Sequence, residues 1–518
     1  MVLDMDMLEQ WPEIVISPFG MVDKGDDDAS ISGRTIHDLS FPEGSSINDC
    51  TDQDSITKPD YNHCDAVATE ILRAKHNHPE AEIQIMAGDV ASAFRNISIH
   101  SNSVCLFAGL IEKENVLVIE LSAPFGWTGS PGFYEIFGGA ISHVHGPHTN
   151  AVCPTGFFNY HWVDDHINVA ADVGLSCKGM DRSLRFAMVA VLGAEAINDK
   201  KFTNWSTSQR VLGLEFDSAA GLVSMPVTKT QKARHILAAA YSSTTLTRKV
   251  YRSLMGSLRH VATCIRAARP FLQRLRLRES QLHRFQRVPV TEDMKQGLLW
   301  WWLVLHTPHL NGVSLEYVNT LPAPDAVIEM DASDFGLCAL DISAQEALTY
   351  RFSPQERTLI REFKNGEANG FDINFRELLS CAFAVNMWGA RWAAQVPRSG
   401  RPHHMHFRID NTSAVAWRNK LSSRNPRAQV IILLLGWWET SFQLRFSASH
   451  VAGVDNTRAD AGSRIAANSS FASRFASLTP GWLQVSPTVD IQGLTKIWQR
   501  ISALNPLPTP RMTSTTVH

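Results

Sequence analysis

The 518-residue chain reads as a multidomain protein of mixed α/β and α+β class, and three observations predict this. Its length corresponds to three or four folding units at roughly 150 residues each. From Ile83 onward, short β-rich runs (IQIMAGDV, VLVIEL, HWVDDHINVA) alternate with helical stretches at 132–143 and 184–197. After the loop NTLPAPD at 319–325, a second α/β unit begins with VIEMDAS and runs to about Arg464. With 44% hydrophobic and 19% charged residues, the composition is that of a globular chain.

Residues 20–60 are rich in Gly, Asp and Ser, and GDDDASISG predicts a hairpin tip between extended segments. The first α/β block closes near Arg234, placing a domain at 1–235. Between Thr247 and Val288 there are eleven Lys and Arg against the single acid Glu279. Val250, Leu254, Leu258, Val261 and Ile265 recur there at three- and four-residue spacing, which predicts amphipathic helix with a cationic outer face in a basic segment at 236–320. The second α/β unit takes 321–465. The Ser-, Thr- and Pro-rich stretch 466–518 is expected to be a poorly ordered tail that packs weakly on either core.

The eight cysteines form no CxxC, which excludes a zinc ribbon and points to buried thiols in a reducing, intracellular compartment. The apolar runs at 298–305 and 430–438 are far shorter than the roughly 20 residues that span a bilayer, so they are read as core and no membrane partner is expected. The acidic start MVLDMDMLEQWPE is unlike a secretory signal. The net charge of −3 argues, as a sum, against a polyanionic partner; the basic segment shows that the sum hides its parts.

Two sets of acids carry the chemistry. Asp89 ends the apolar run IQIMAGDV, and Asp164–Asp165 follow the strand-like YHWV, so three carboxylates sit at predicted strand edges. Acids that converge in this way can hold a pair of divalent ions, which activate an attacking oxygen and stabilise the leaving one in phosphoryl transfer. The second set is Asp331 in VIEMDAS, Glu377 in the helical INFRELLSCAFAV, Asp410 ending HFRID and Asp460 in NTRADAGSR, a strand–helix–strand–helix order.

The ordered motifs DVASAF, APFGWTGSP, WVDD and VLGLEFD, with Lys24 and Arg34 ahead of them and Lys229 behind, resemble those of retroelement reverse transcriptases. SPFGMVDKG with SGRTIHDLSFPEGSSIND is closest to DIRS-type elements. The second acid set resembles ribonuclease H. The resemblance, spanning about 14–465, implies a right-hand polymerase of fingers, palm and thumb followed by a ribonuclease H-like α/β domain. It implies metal-binding Asp89, Asp164 and Asp165 in the palm; triphosphate-holding Lys24 and Arg34; and Phe94 as the aromatic gate against a 2′-hydroxyl. It further implies that Phe125, Gly126 and Trp127 form the segment beside the incoming base and the template, with Lys200 or Lys201 as a cation behind the hairpin. In the nuclease it implies metal ligands Asp331, Glu377, Asp410 and Asp460, and a loop His450 that assists product release.

The function implied is RNA-directed DNA synthesis with ribonuclease H cleavage of the hybrid, using two Mg²⁺ ions per site, with Mn²⁺ as a substitute. The partners implied are RNA template, DNA primer, RNA–DNA hybrid, deoxynucleoside triphosphates and other retroelement-encoded proteins. Arg248, Lys249, Arg252, Arg259, Arg266 and Arg269, in the thumb and connection, are expected to track the phosphates. The chain begins almost at the finger hairpin, so upstream template-facing strands are expected to be missing. No aspartic-protease, zinc-knuckle, recombinase or methyltransferase motif is present. The histidine groups HVHGPH and HHMH lack cysteine partners and read as helix-end and loop residues. The alternative from another class is a catalytically inactive or decayed retroelement-derived nucleic-acid-binding scaffold. Intact carboxylates favour catalysis, because a scaffold has no need to crowd like charges.

Overall fold

The computed structural model describes residues 1–23, 33–56, 64–279, 282, 286–318, 321–395 and 401–504. It divides into two compact units, Met1–Leu222 and Val223–His518. The expected boundary at 235 falls inside the continuous helix Val227–Ser242, and the basic segment and the second α/β region share one unit.

In the first unit, strand Asp165–Ala171 runs between strands Ile83–Asp89 and Tyr160–Trp162, antiparallel to both. The alternation of IQIMAGD buries Ile83, Ile85 and Met86. Helices Ser130–His145 and Ser176–Leu192 cover this sheet, closing a core of Met86, Val90, Tyr134, Ile141, Leu184 and Met188. Strands Phe19–Asp23 and Gly33–His37 form an antiparallel hairpin, with Val22 opposite Arg34. Residues 25–32 of its expected tip, GDDDASISG, lie outside the described residues.

In the second unit, a six-stranded sheet is built around strand Ala326–Ala332. Strands Gly336–Asp341 and Glu346–Arg351 follow it antiparallel on one side; His403–Ile409 and Leu444–His450 lie parallel on the other. Helix Ile373–Ala394 packs on this sheet and buries Phe375, Leu378, Leu379, Phe383, Trp388 and Trp392. Asp372 caps it, its side chain accepting from the Phe375 amide at 2.7 Å. Helix Pro426–Ser441 carries the second long apolar run into the same core, as its composition predicts.

The basic segment is less regular than its spacing predicts. Helix Arg248–Val261 buries Leu254, Leu258 and Val261 but leaves Val250 exposed; a 3-10 turn at Arg266–Phe271, containing Pro270, separates it from helix Leu272–Glu279. Proline removes a helical donor and clashes with the preceding turn, so the residues just before Pro270 do not continue as regular α-helix.

The expected tail is folded through Leu504. Strand Leu483–Val485 adds to the edge of the sheet, parallel to Glu346–Arg351. Helix Ser469–Leu478 buries Phe475 against Cys338, Leu340 and Ala461, and helix Ile491–Leu504 buries Ile491 and Leu494 in the main core. Its Ser and Thr content masked a spaced apolar stripe. No helix among the described residues is long and apolar enough to cross a membrane.

Phe475→Ala is therefore expected to destabilise the protein by about 3–5 kcal/mol, the usual cost of emptying a buried aromatic site. Urea unfolding would read it, and an unchanged midpoint would mean that this helix is not part of the core.

Candidate active sites

The first acid set is assembled by strand register. Asp89 pairs with Asp165 across the sheet, and Trp162 pairs with Asp165 to close a hairpin whose two-residue loop is Val163–Asp164. The Val90 amide donates to the Asp164 carbonyl at 2.9 Å, which ties the loop to the end of the neighbouring strand. Val163 has φ +52°, a left-handed conformation that is unfavourable for a β-branched side chain by about 1–3 kcal/mol. The surrounding hydrogen bonds hold a strained turn where the acids are.

Within this group the Asp165 carboxyl is pushed up to about 6, first by burial and then by the charges of Asp164 and Asp89, against the opposing Lys201. Asp89 is 2% exposed, and both its oxygens are engaged: Asn198 Nδ2 donates at 2.6 Å and Lys201 Nζ at 2.7 Å. The structure thus brings the three expected acids to one edge but commits Asp89 to an internal ion pair. An ammonium here offsets like charges that would otherwise repel. Of the two lysines weighed for this region, Lys201 is the one on Asp89. Asn198 carried no sequence signal.

Phe94 lies in the 3-10 turn Ala93–Asn96 directly after the Asp89 strand, with its ring 5.0 Å from Phe125 and 6.0 Å from Tyr134. Gly126 has φ +126°, and a Cβ there would overlap the His37 carbonyl. The glycine lets the hairpin strand Gly33–His37 pass close by, and the His37 amide donates to the Phe125 carbonyl at 2.8 Å. Trp127 is anchored internally, donating from Nε1 to Thr51 at 3.0 Å and stacking on Phe133 at 5.3 Å. Lys24 lies outside the described residues, as does the side chain of Arg34; the Arg34 backbone belongs to strand Gly33–His37.

The second set is tighter. Parallel pairing places Met330 beside Ile409, so the next residues, Asp331 and Asp410, emerge together at the strand ends. Glu377 reaches them from helix Ile373–Ala394, and its Oε1 accepts from the Ala332 amide at 3.0 Å. Ligand atoms of Asp331, Glu377 and Asp410 lie within 4.8 Å of one another, the one such triple of Asp, Glu, His or Cys found among the described residues. Asp331 and Glu377 are each 2% exposed, and Asp331 Oδ2 and Glu377 Oε2 have no hydrogen-bond partner. Burial, reinforced by Asp410 and Asp460, pushes Asp331 up to about 7, and burial with Asp331 and Asp410 raises Glu377.

Buried carboxylate oxygens without donors are costly unless a cation meets them, so these residues fit a hard divalent ion such as Mg²⁺ or Mn²⁺. Asp460, on helix Thr457–Ser463, is outside the triple and pairs with Arg464 at 2.7 Å. His450 is the exposed last residue of strand Leu444–His450, opposite Ile409, rather than a loop residue. Sequence reasoning missed Asn456, which is fully buried and donates to the Met330 carbonyl at 2.8 Å, fixing the strand end that bears Asp331.

The expected phosphate-tracking cations divide. Lys249 and Arg252 are exposed on helix Arg248–Val261, and Arg248 is half-buried. Arg259 pairs with Glu279, Arg269 Nε donates to the Ala262 carbonyl at 2.9 Å, and Arg266 Nε donates to the buried Glu439 at 2.9 Å. Arg266 is therefore structural, because the buried Glu439 carboxylate draws it inward, whereas Arg269 stays exposed with its Nε on a local carbonyl. The HHMH histidines lie in strand His403–Ile409, not in a loop.

No family model matches the sequence, and no curated protein matches it. Solved structures of the foamy viral protease-reverse transcriptase are similar to it. A dRH form in complex with double-stranded DNA is 14% identical with a TM-score of 0.44, covering 86% of this chain and 68% of that one. A form in complex with an RNA/DNA hybrid is 14% identical with a TM-score of 0.43, covering 84% and 50%. At this distance the likeness assigns no family, and the functional reading rests on the acid sites themselves.

The Asp331 group makes stability depend on pH. Its folded pKa is raised, so the folded chain holds a proton that the unfolded chain releases, and without divalent cations stability falls as pH rises from about 4 to about 7. Asp331→Asn should flatten this slope and exceed wild type above pH 7 by at most about 4 kcal/mol. Thermal denaturation in chelator across this range would test it; parallel profiles for the two proteins would refute the raised pKa.

Proposed function

We propose that the chain is an RNA-directed DNA polymerase with a fused ribonuclease H, of retroelement type and closest to DIRS elements. The observation that carries the reading is the Asp331, Glu377 and Asp410 triple with its two unpartnered buried oxygens, a donor set suited to divalent cations and phosphodiester hydrolysis. The hairpin acids Asp164 and Asp165 beside Asp89 support nucleotidyl transfer at a second site.

In the nuclease, Asp331, Glu377 and Asp410 would hold Mg²⁺, with Asp460 at the rim and His450 near the product side. Bound divalent cations supply neutralisation of the phosphate charge and a more acidic water. The protein's part is to fix the carboxylates: Asn456 and Ala332 hold the Asp331 strand end and Glu377 in place. In the polymerase, Asp164 and Asp165 would bind the metals together with Asp89 once Lys201 yields, and Lys201 would then lie next to the triphosphate. Lys24 and Arg34 would meet the phosphates, and Phe94 would close the space under the sugar. Lys249 and Arg252 are among the exposed basic-segment cations that would contact a phosphate backbone.

Deoxynucleotide incorporation on poly(rA)–oligo(dT) with Mg²⁺ should be readily detected and should drop to background in Asp164→Asn/Asp165→Asn. Equal signals from the two proteins would sink the polymerase assignment. Cleavage of a labelled RNA–DNA hybrid should vanish in Asp331→Asn while incorporation persists, and joint loss would contradict two separate sites. Phe94→Ala should admit ribonucleotides; unchanged sugar discrimination in primer extension would remove the gate.

A further inference from the structure

Away from both acid sets, the second unit contains a charge imbalance of opposite sign. Glu439, near the end of helix Pro426–Ser441, is approached by Arg266 Nε at 2.9 Å, Arg418 Nη2 at 3.0 Å and Arg445 Nη1 at 3.8 Å. Burial works against the Glu439 charge, yet these guanidinium groups hold its carboxyl down at about 2. Arg269 feels the same carboxylate and repels Arg266. One acid among three largely buried arginines, with the exposed Arg269 nearby, leaves an excess of positive charge in the interior. Burial, and then Arg266, press Arg445 down to about 9.

The donors are not all used. Arg418 is fully buried, and its Nε and Nη1 have no hydrogen-bond partner; Arg445 Nε has none either. Buried guanidinium donors in folded proteins are almost always paired, because an unmade bond to a charged group costs more than one to a neutral group. Something negative is missing from this network.

A cavity of about 480 Å³ opens beside two members of this network, Arg266 and Arg445, with His404, His406, Asn419 and Ser447 also in its lining and no acid among its described lining residues; Arg418 lies behind it. The imidazoles form a fixed chain: His404 Nδ1 donates to the Pro322 carbonyl at 2.8 Å, which leaves Nε2 to accept from Ser447 Oγ at 2.7 Å. Ser447 Oγ in turn accepts from His406 Nδ1 at 2.7 Å. Burial lowers both histidines' pKa values, so near neutrality they add no charge and the arginines set the sign. Leu321, Pro322 and Pro324 form an apolar rim.

We propose that this cavity binds a phosphate group, held by the forked donors of Arg266 and Arg445. Guanidinium forks match phosphate oxygens two at a time, and the cavity has the size of small-molecule sites, large enough for pyrophosphate or a nucleoside phosphate. The phosphate supplies the counter-charge that Glu439 alone does not. Its source is either a free phosphate compound or the terminal phosphate of a nucleic acid.

The full chain is titrated calorimetrically, without divalent cations, with pyrophosphate, with chloride at equal ionic strength, and with a short DNA duplex with or without 5′-phosphates. Pyrophosphate should bind wild type, or the 5′-phosphorylated duplex should bind more tightly than the unphosphorylated one, and the responding arm identifies the source. Arg445→Gln should weaken that binding about ten- to a hundredfold, whereas Glu439→Gln should tighten it by removing the competing carboxylate. A purely structural arginine cluster would not give these opposite signs. No heat from pyrophosphate beyond the chloride control together with equal affinity for the two duplexes, or an unchanged Kd in a folded Arg445→Gln, overturns the site.

Discussion

The second unit is organised around the cost of keeping Asp331, Glu377 and Asp410 within 4.8 Å of one another in a nearly water-free site. Repulsion and desolvation both oppose that arrangement, and only a rigid frame sustains it. The frame is visible: parallel register sets the two aspartates side by side, and a helix buried along most of its length fixes Glu377 from above. The surrounding core, with Trp388, Trp392 and the strands on both sides, is what makes the strain affordable. Asn456 completes the frame by tying the Asp331 strand end to the next helix.

The first unit meets a similar problem by different means. Asp89 is as buried as Asp331, but Lys201 and Asn198 satisfy it within the protein, and the crowding falls instead on Asp165. One site leaves lone pairs open for a cation; the other carries its own cation and must give it up before Asp89 can bind a metal. Two carboxylate sets that look equivalent as sequence thus differ in readiness. The strained turn at Val163 belongs to the second kind of arrangement, in which geometry is held and charge is balanced locally.

Much of this was legible in the sequence because alternation and helical spacing report which face of an element is buried. The strands ending in Asp89, Asp331 and Asp410, the helix bearing Glu377 and the Asp164–Asp165 hairpin all follow from such patterns. What spacing cannot report is which charges meet across the fold. Lys201 finds Asp89 across 112 positions and Arg266 finds Glu439 across 173. The cationic stripe at 247–288 was therefore read by sign alone, although part of it is spent inward. The stretch after 466 departs from its expected disorder for a related reason: a composition dominated by Ser and Thr hides Phe475, Ile491 and Leu494, which face the core.

The same two strands, His403–Ile409 and Leu444–His450, carry Asp410 at one end and His404 with Arg445 at the other. At about 3.3 Å per residue, the ends are roughly 20 Å apart along the sheet. That exceeds the Debye length of about 8 Å at physiological salt, so across solvent the arginine cluster does little to neutralise the acids at the far end. Buried charge must be balanced where it sits, and each end therefore needs its own partner: a cation beside Asp331 and Glu377, an anion beside Arg266 and Arg445. A net charge of −3 over the whole chain is compatible with both demands, because each is local and of opposite sign.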